Sequence, residues 1–280
     1  MKRFIRCSGI LVGGFFALVV LAGLSLYVIG TRELARTFQN IPIEHVSIPS
    51  RQDAIVRGRH IAIIWSCTKC HGDDLSGRVL TRDPLIGQVP LLASISASNL
   101  TAGRGGVGSS YTNVDWVRAI RHGIMPDGER AEVYMYGYFS TMSDQDLGDL
   151  IAYLKQLPPI DSELPRTSYG PIFPIFPAMG LFKPEAESIV QGAPRPPDPS
   201  PGANREYGKY LSVLCAACHP ILNNELRGWN RDDFLHTFQT GRLPNGSSFG
   251  TTMSSETFTE LNDVELSALW LYFEGTTSSK

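Results

Sequence analysis

Cys67-Thr68-Lys69-Cys70-His71 returns later in the chain as Cys215-Ala216-Ala217-Cys218-His219. Two cysteines three positions apart, with a histidine directly after the second, form the arrangement that attaches a c-type haem. Each thiol adds to one vinyl group of the porphyrin to form a thioether. The neighbouring histidine then lies under the ring and offers a nitrogen to iron. Other uses of these residues explain less. A thioredoxin-like dithiol starts a helix after a strand in a βαβ context, and neither copy has that context. A tetrahedral zinc wants a fourth ligand, and adjacent donors such as Cys70 and His71 chelate one metal poorly. A disulfide inside either motif leaves the repeated histidine without a role. The expectation is two covalently bound haem c groups, one on Cys67, Cys70 and His71, the other on Cys215, Cys218 and His219.

With 280 residues and a formal charge of -2, the chain has length for two domains. No basic cluster is dense enough to argue for nucleic acid. Four of the five cysteines belong to the motifs, so no disulfide framework remains. The fifth, Cys7, precedes an apolar run, whereas a lipoprotein cysteine comes after one. That run, Gly9 to Gly30, holds 22 residues without a charge. As a helix it covers about 33 Å, the depth of a hydrocarbon core. Lys2, Arg3 and Arg6 before it favour a cytoplasmic amino terminus and export of the chain beyond Gly30, although Arg32 and Arg36 reduce the asymmetry. A cleaved signal has a shorter apolar region and a small-x-small exit, which Leu26 to Gly30 lacks. An uncleaved anchor touching lipid through residues 9–30 is expected.

After a tether with Pro42 and Pro49, Asp53 is a plausible N-cap, and Ile55, Ile61, Ile64 and Trp65 form one apolar stripe running into the first motif. Tyr207 to Leu214 lead into the second in the same way. A repeat continues downstream. Asp115 to Gly123 aligns with Asp233 to Gly241, both amphipathic helices with glycine at the exit. Pro126-Asp127-Gly128 and Pro244-Asn245-Gly246 come next as turns. In this register Met135 stands seven positions after Gly128, as Met253 does after Gly246. A thioether sulfur is a soft donor suited to haem iron. Methionines more often fill cores. The repeat nonetheless marks Met135 and Met253 as sixth ligands opposite His71 and His219, while Met125 and Met142 have no counterparts. Caps at Ser143 to Asp146 and Asn262 to Glu265 open a closing helix in each half, expected to cross the helix before the motif.

The second half is about thirty residues shorter between motif and middle helix, so its small core leans on covalent haem. The extra segment of the first half includes Asn99-Leu100-Thr101 and Gly103 to Gly108. The latter fits GxGxxG but lacks the strand and helix of a nucleotide site, and reads as a loop near the haem edge. Arg118, Arg121 and His122 suit either haem propionates or a solvated helix face. His60 and His122, possible axial ligands, have no repeat partner; His45 and His236 read as surface residues. Pro165 to Pro201 make residues 161–202 an extended surface linker, its aromatic part from Tyr169 to Phe182 packing on a domain and the remainder acting as spacer. The division is 1–31 anchor, 32–50 tether, 51–160 first domain, 161–202 linker and 203–280 second domain, in an all-α fold.

Over residues 51–275 these motifs resemble the membrane-anchored dihaem cytochromes c of bacteria, and are similar to cytochrome subunits of periplasmic alcohol, aldehyde and gluconate dehydrogenases. The resemblance implies tandem all-α cytochrome c domains, a single span in the cytoplasmic membrane and haem on the periplasmic side. It also implies electron transfer from a dehydrogenase subunit to a quinone or terminal oxidase of a respiratory chain. Two departures stand out: Tyr136 and Ser254 come after the methionines where the family has proline, and the second half lacks an Asn-Leu-Thr segment. Iron closed by histidine and methionine has no open position, which favours a carrier without a catalytic residue of its own. The alternatives are a dihaem peroxidase-type enzyme in which one haem opens, and a sensor or assembly subunit.

Overall fold

A computed structural model describes residues 2–80, 93–131, 136–181, 186, 189, 192–216, 219, 226, 228–249 and 255–277. Met135, Cys218 and Met253 lie outside the described residues. Helix makes up 48% of the structure and strand 6%. The framework is therefore helical, and the strands serve only to pin loops.

Helix α1 (Lys2–Leu34) is continuous through the apolar run. An extended segment leads to α2 (Gln52–Ile64), whose N-cap is Arg51 and not Asp53. Asp53 instead lies in the first turn, where its carboxylate accepts from Arg51 Nε at 3.0 Å. The apolar stripe forms as its spacing dictates, with Ile55, Ile61, Ile64 and Trp65 buried and Val56 exposed. The helix does not run unbroken into the motif. Ser66 is left-handed (φ 63°), so the one-turn helix α3 (Cys67–His71) sets off in a new direction.

Strands β1 (Arg78–Val79), β2 (Ala93–Ser94) and β3 (Ser96–Ala97) come next, with β1 antiparallel to β3. Helix α4 (Asn113–His122) starts with a capping box between Thr112 and Asp115 and ends at Gly123, left-handed at φ 64°. Then come α5 (Tyr136–Phe139), α6 (Asp144–Leu154), β4 (Ser168–Tyr169), antiparallel to β2, and the single turn α7 (Ile175–Ala178). That turn lies within the proline-rich segment, whose residues 161–167 and 193–201 form neither helix nor strand. The last third carries α8 (Arg205–Leu211), α9 (Val213–Ala216), α10 (Arg231–Thr240), α11 (Ser255–Phe258) and α12 (Asp263–Thr277). Helix α10 repeats α4 closely, with an Asn230–Asp233 capping box and Gly241 at φ 70°.

Closing helices cross the helices before the motifs, as expected. Helix α6 packs on α2 where a Cβ on Gly58 would sit 2.0 Å from the Asp149 carbonyl oxygen. Helix α12 packs on α8 where a Cβ on Gly208 would sit 1.9 Å from that of Ala268. Only glycine admits backbones so close.

One core runs through the described helices, from Trp65, Leu75, Trp116 and Met142 to Leu211, Phe234, Leu266 and Phe273. Polar contacts reinforce the junction. The Tyr210 hydroxyl donates to Asp146 at 2.7 Å and accepts from the Ser143 amide at 3.1 Å, while His60 Nε2 lies 2.8 Å from Glu265 Oε1. The proline-rich stretch is bonded to the helical body: Arg195 pairs with Glu44, and the Gln145 amide donates to Asp198 at 2.9 Å.

Candidate haem c site

His71 Nδ1 lies 2.7 Å from the Ser98 carbonyl oxygen. Only a proton on Nδ1 makes that contact a hydrogen bond, so the Nε2 lone pair is left for a metal. Enclosure of the ring lowers the imidazole pKa, with the Ser98 carbonyl acting the other way. The net shift keeps the ring neutral at pH 7, the state a ligand requires.

The carbonyl is held in turn. Asn99 Nδ2 donates to Ile160 O at 2.8 Å, the Ile160 amide donates to Thr101 Oγ1 at 3.0 Å, and the Thr101 amide donates to Asn99 Oδ1 at 2.9 Å. Asn99 and Thr101 are fully buried. Beyond the motif, the His71 carbonyl accepts from Gly77 N at 2.7 Å and Leu75 O accepts from Leu100 N at 2.9 Å. Buried Leu75 adopts φ 59°, a left-handed state that costs a branched residue about 1 kcal/mol and that this network sustains. Burial and neighbouring Cys70 push the Cys67 thiol up to about 12. A dithiol redox centre needs the opposite shift.

The glycine-rich loop is braced internally. Its amides at Gly106, Val107 and Gly108 donate to Gly103 O, Asn99 O and Thr101 O, and that of Arg104 donates to Asp161. With these amides engaged, no phosphate cradle exists there.

Arg121 and His122 are fully buried, which rules out a solvated face. Arg121 Nη1 lies 3.0 Å from Glu44 Oε1 and 2.7 Å from Asp144 Oδ1, and Nη2 donates to Met142 O at 2.9 Å. His122 Nε2 lies 2.9 Å from Glu44 Oε2. Burial opposes ionisation of Glu44, but a backbone hydrogen bond together with His122 and Arg195 holds its carboxyl down at about 2. The more exposed Arg118 pairs with Asp115 at 3.5 Å and donates to Pro126 O. Nothing in the sequence around Glu44 marks it as the hub of this cluster.

In the second half Cys215 is buried and the His219 amide donates to its carbonyl at 2.9 Å. Downstream, the register repeats bond for bond. Met125 N donates to Glu129 O at 2.7 Å and Leu243 N to Ser247 O at 2.8 Å. Ala131 N donates to Gly123 O at 2.8 Å and Phe249 N to Gly241 O at 2.9 Å. Ile124 bridges Arg130 as Arg242 bridges Ser248. Among the other methionines, Met142 is buried in the core and Met125 Sδ lies 3.5 Å from the Tyr111 hydroxyl.

These residues fit a covalently held haem. A neutral imidazole whose Nε2 has no hydrogen-bond partner among the described residues stands directly after two cysteines in thiol form. The buried indole N–H groups of Trp65 and Trp116 and the buried Thr237 hydroxyl have no hydrogen-bond partner among the described residues. Such orphans are costly, and a group bearing carboxylates offers them acceptors.

Residues 55–158, from α2 through the first motif to just past α6, match the family model described as Cytochrome c. That stretch is a cytochrome c domain; the second motif lies beyond it. The chain is homologous to cytochrome subunits of dehydrogenases. It is 28% identical over 212 residues to the fructose dehydrogenase cytochrome subunit of Gluconobacter japonicus, covering 73% of this chain and 42% of that protein. It is 24% identical over 273 residues to the gluconate 2-dehydrogenase cytochrome c subunit of Pantoea cypripedii, covering 79% and 59%. It is 26% identical over 256 residues to the cytochrome c subunit of the alcohol dehydrogenase (quinone) of Gluconacetobacter polyoxogenes, covering 72% and 51%. The chain thus spans about half the length of the relatives it matches.

Proposed function

We propose that the protein is a dihaem c-type cytochrome carrying electrons at the outer face of the bacterial cytoplasmic membrane, from a dehydrogenase subunit towards a respiratory acceptor. One haem c is held by Cys67, Cys70, His71 and Met135, the other by Cys215, Cys218, His219 and Met253, in two tandem domains. The observation that carries the reading is the second motif followed by the same hairpin hydrogen bonds as the first, which puts Met135 and Met253 at equal offsets from Ala131 and Phe249. The core position of Met142 supports the choice of Met135. Each bound haem supplies a one-electron couple. The protein's part is to fix the His71 tautomer through Ser98 and to keep the site enclosed. Helix α1 supports the anchor: within Ile10–Leu34 an 18-residue stretch has mean hydropathy 2.4 and is not buried within the protein.

The reduced spectrum with and without carbon monoxide tests the carrier reading. Both haems are expected to keep their bands, because a closed iron excludes the gas. A haem that shifts on adding carbon monoxide has an open position and overturns it.

A further inference from the structure

Residues 167–182 contain no charged side chain and include Tyr169, Ile172, Phe173, Phe176, Met179 and Leu181. The segment is tied to the body at β4, where Ser168 and Tyr169 pair with Ser94 and Ala93. Past β4, Phe173 stacks on Tyr169 with centroids 4.3 Å apart and planes 9° apart. The chain then turns through Pro174 into α7, which packs on the end of α1. There a Cβ on Gly30 would sit 1.5 Å from the Pro174 carbonyl oxygen, so the two backbones touch. Beyond that contact the apolar side chains are uncovered: Ile172 is 48% exposed, Met179 57% and Leu181 67%.

Gly30 ends the apolar run of α1, and Arg32 and Arg36 lie just past it. A helix spanning a bilayer through residues 9–30 therefore places Gly30 at the boundary between hydrocarbon and headgroups. We infer that the 170–181 turn is a second membrane contact, inserting Ile172, Met179 and Leu181 into the lipid interface beside α1. Aromatic and apolar side chains next to the end of a spanning helix are the composition that the interface favours. The consequence is orientation. The cytochrome c domain is joined to the bilayer by α1 and by this turn through β2–β4. The end of α1 and the chain just past it are also bonded to it, since Arg130 Nη1 donates to Glu33 O at 3.2 Å and Phe38 N to Gly128 O at 2.7 Å. The domain is thus held at one tilt over the membrane, without the freedom of a swinging tether.

The inference rests on the reading of α1 as a membrane span. The test uses the full haem-loaded chain in liposomes of phosphatidylethanolamine and phosphatidylglycerol. A photo-crosslinking benzoylphenylalanine replaces Met179 or Leu181, with Val19 in α1 and exposed Val56 on α2 as controls. After illumination, peptide masses are expected to show phospholipid adducts at 179, 181 and 19 and none at 56. A lipid adduct at 19 with only polypeptide adducts, or none, at 179 and 181 overturns the second contact and leaves the anchor standing. No lipid adduct at 19 removes the anchor and this inference with it.

Discussion

At His71 the decisive partner is a backbone carbonyl, and its position depends on a side chain one residue further on. Removing the Asn99 amide takes the acceptor from the buried Thr101 N–H and one of the donors from Ile160 O. Asn99→Ala is therefore expected to cost about 2 kcal/mol, read as a lower denaturation midpoint. It should also shift the potential of one haem only, read by spectroelectrochemistry, because the loosened Ser98 carbonyl no longer polarises His71. Met135→Ala and Met253→Ala should each abolish one of two low-spin His/Met signals; a variant that keeps both shows that another sulfur, or another group, is the ligand. The proposed haem-binding cysteines and histidines can be named from the sequence because thioether attachment would demand residues adjacent in sequence. The role of Asn99 cannot, since its acceptor at Ile160 lies 61 positions away. The same distance hides Glu44, which meets Arg121 and His122 more than 70 positions on.

Among the helices, the caps at Thr112, Asn230, Ser143 and Asn262 arise from side chains that satisfy the first free amides. The break at Ser66 has no such signature, because a left-handed serine is imposed by the structure around it. Where α2 meets α6 and α8 meets α12, Gly58→Ala or Gly208→Ala must force a methyl group into a backbone carbonyl. Each should lower stability by about 3 kcal/mol, visible as a depressed Tm. The Glu44 cluster joins the tether, α4, the start of α6 and the linker. Its carboxyl is depressed from 4.5 to about 2 on folding, so its contribution is complete above pH 4.5 and is lost as pH falls towards 2. Glu44→Gln is expected to flatten that acid limb of the stability profile and to cost about 3 kcal/mol at pH 7, since Arg121 stays buried with fewer counter-charges. An unchanged acid limb places the acid sensitivity elsewhere.

Across the whole molecule the two motif-bearing halves share one core and meet through Trp65, Tyr210, Asp146, His60 and Glu265. The order of helices is legible from the repeat of motif, middle helix, turn and closing helix. The union of the halves is not, because Tyr210 and Glu265 resemble ordinary surface residues until α8 and α12 bring them against α2 and α6. Their association makes the two halves one folding unit; with a haem on each motif, as proposed, loss of either haem should weaken the other half. The central claim is that both motifs are loaded. The full-length protein is to be purified from membranes and its haem content read by alkaline pyridine spectrum alongside intact mass. Two covalent haem groups per chain are predicted; a single group, or none, contradicts the account.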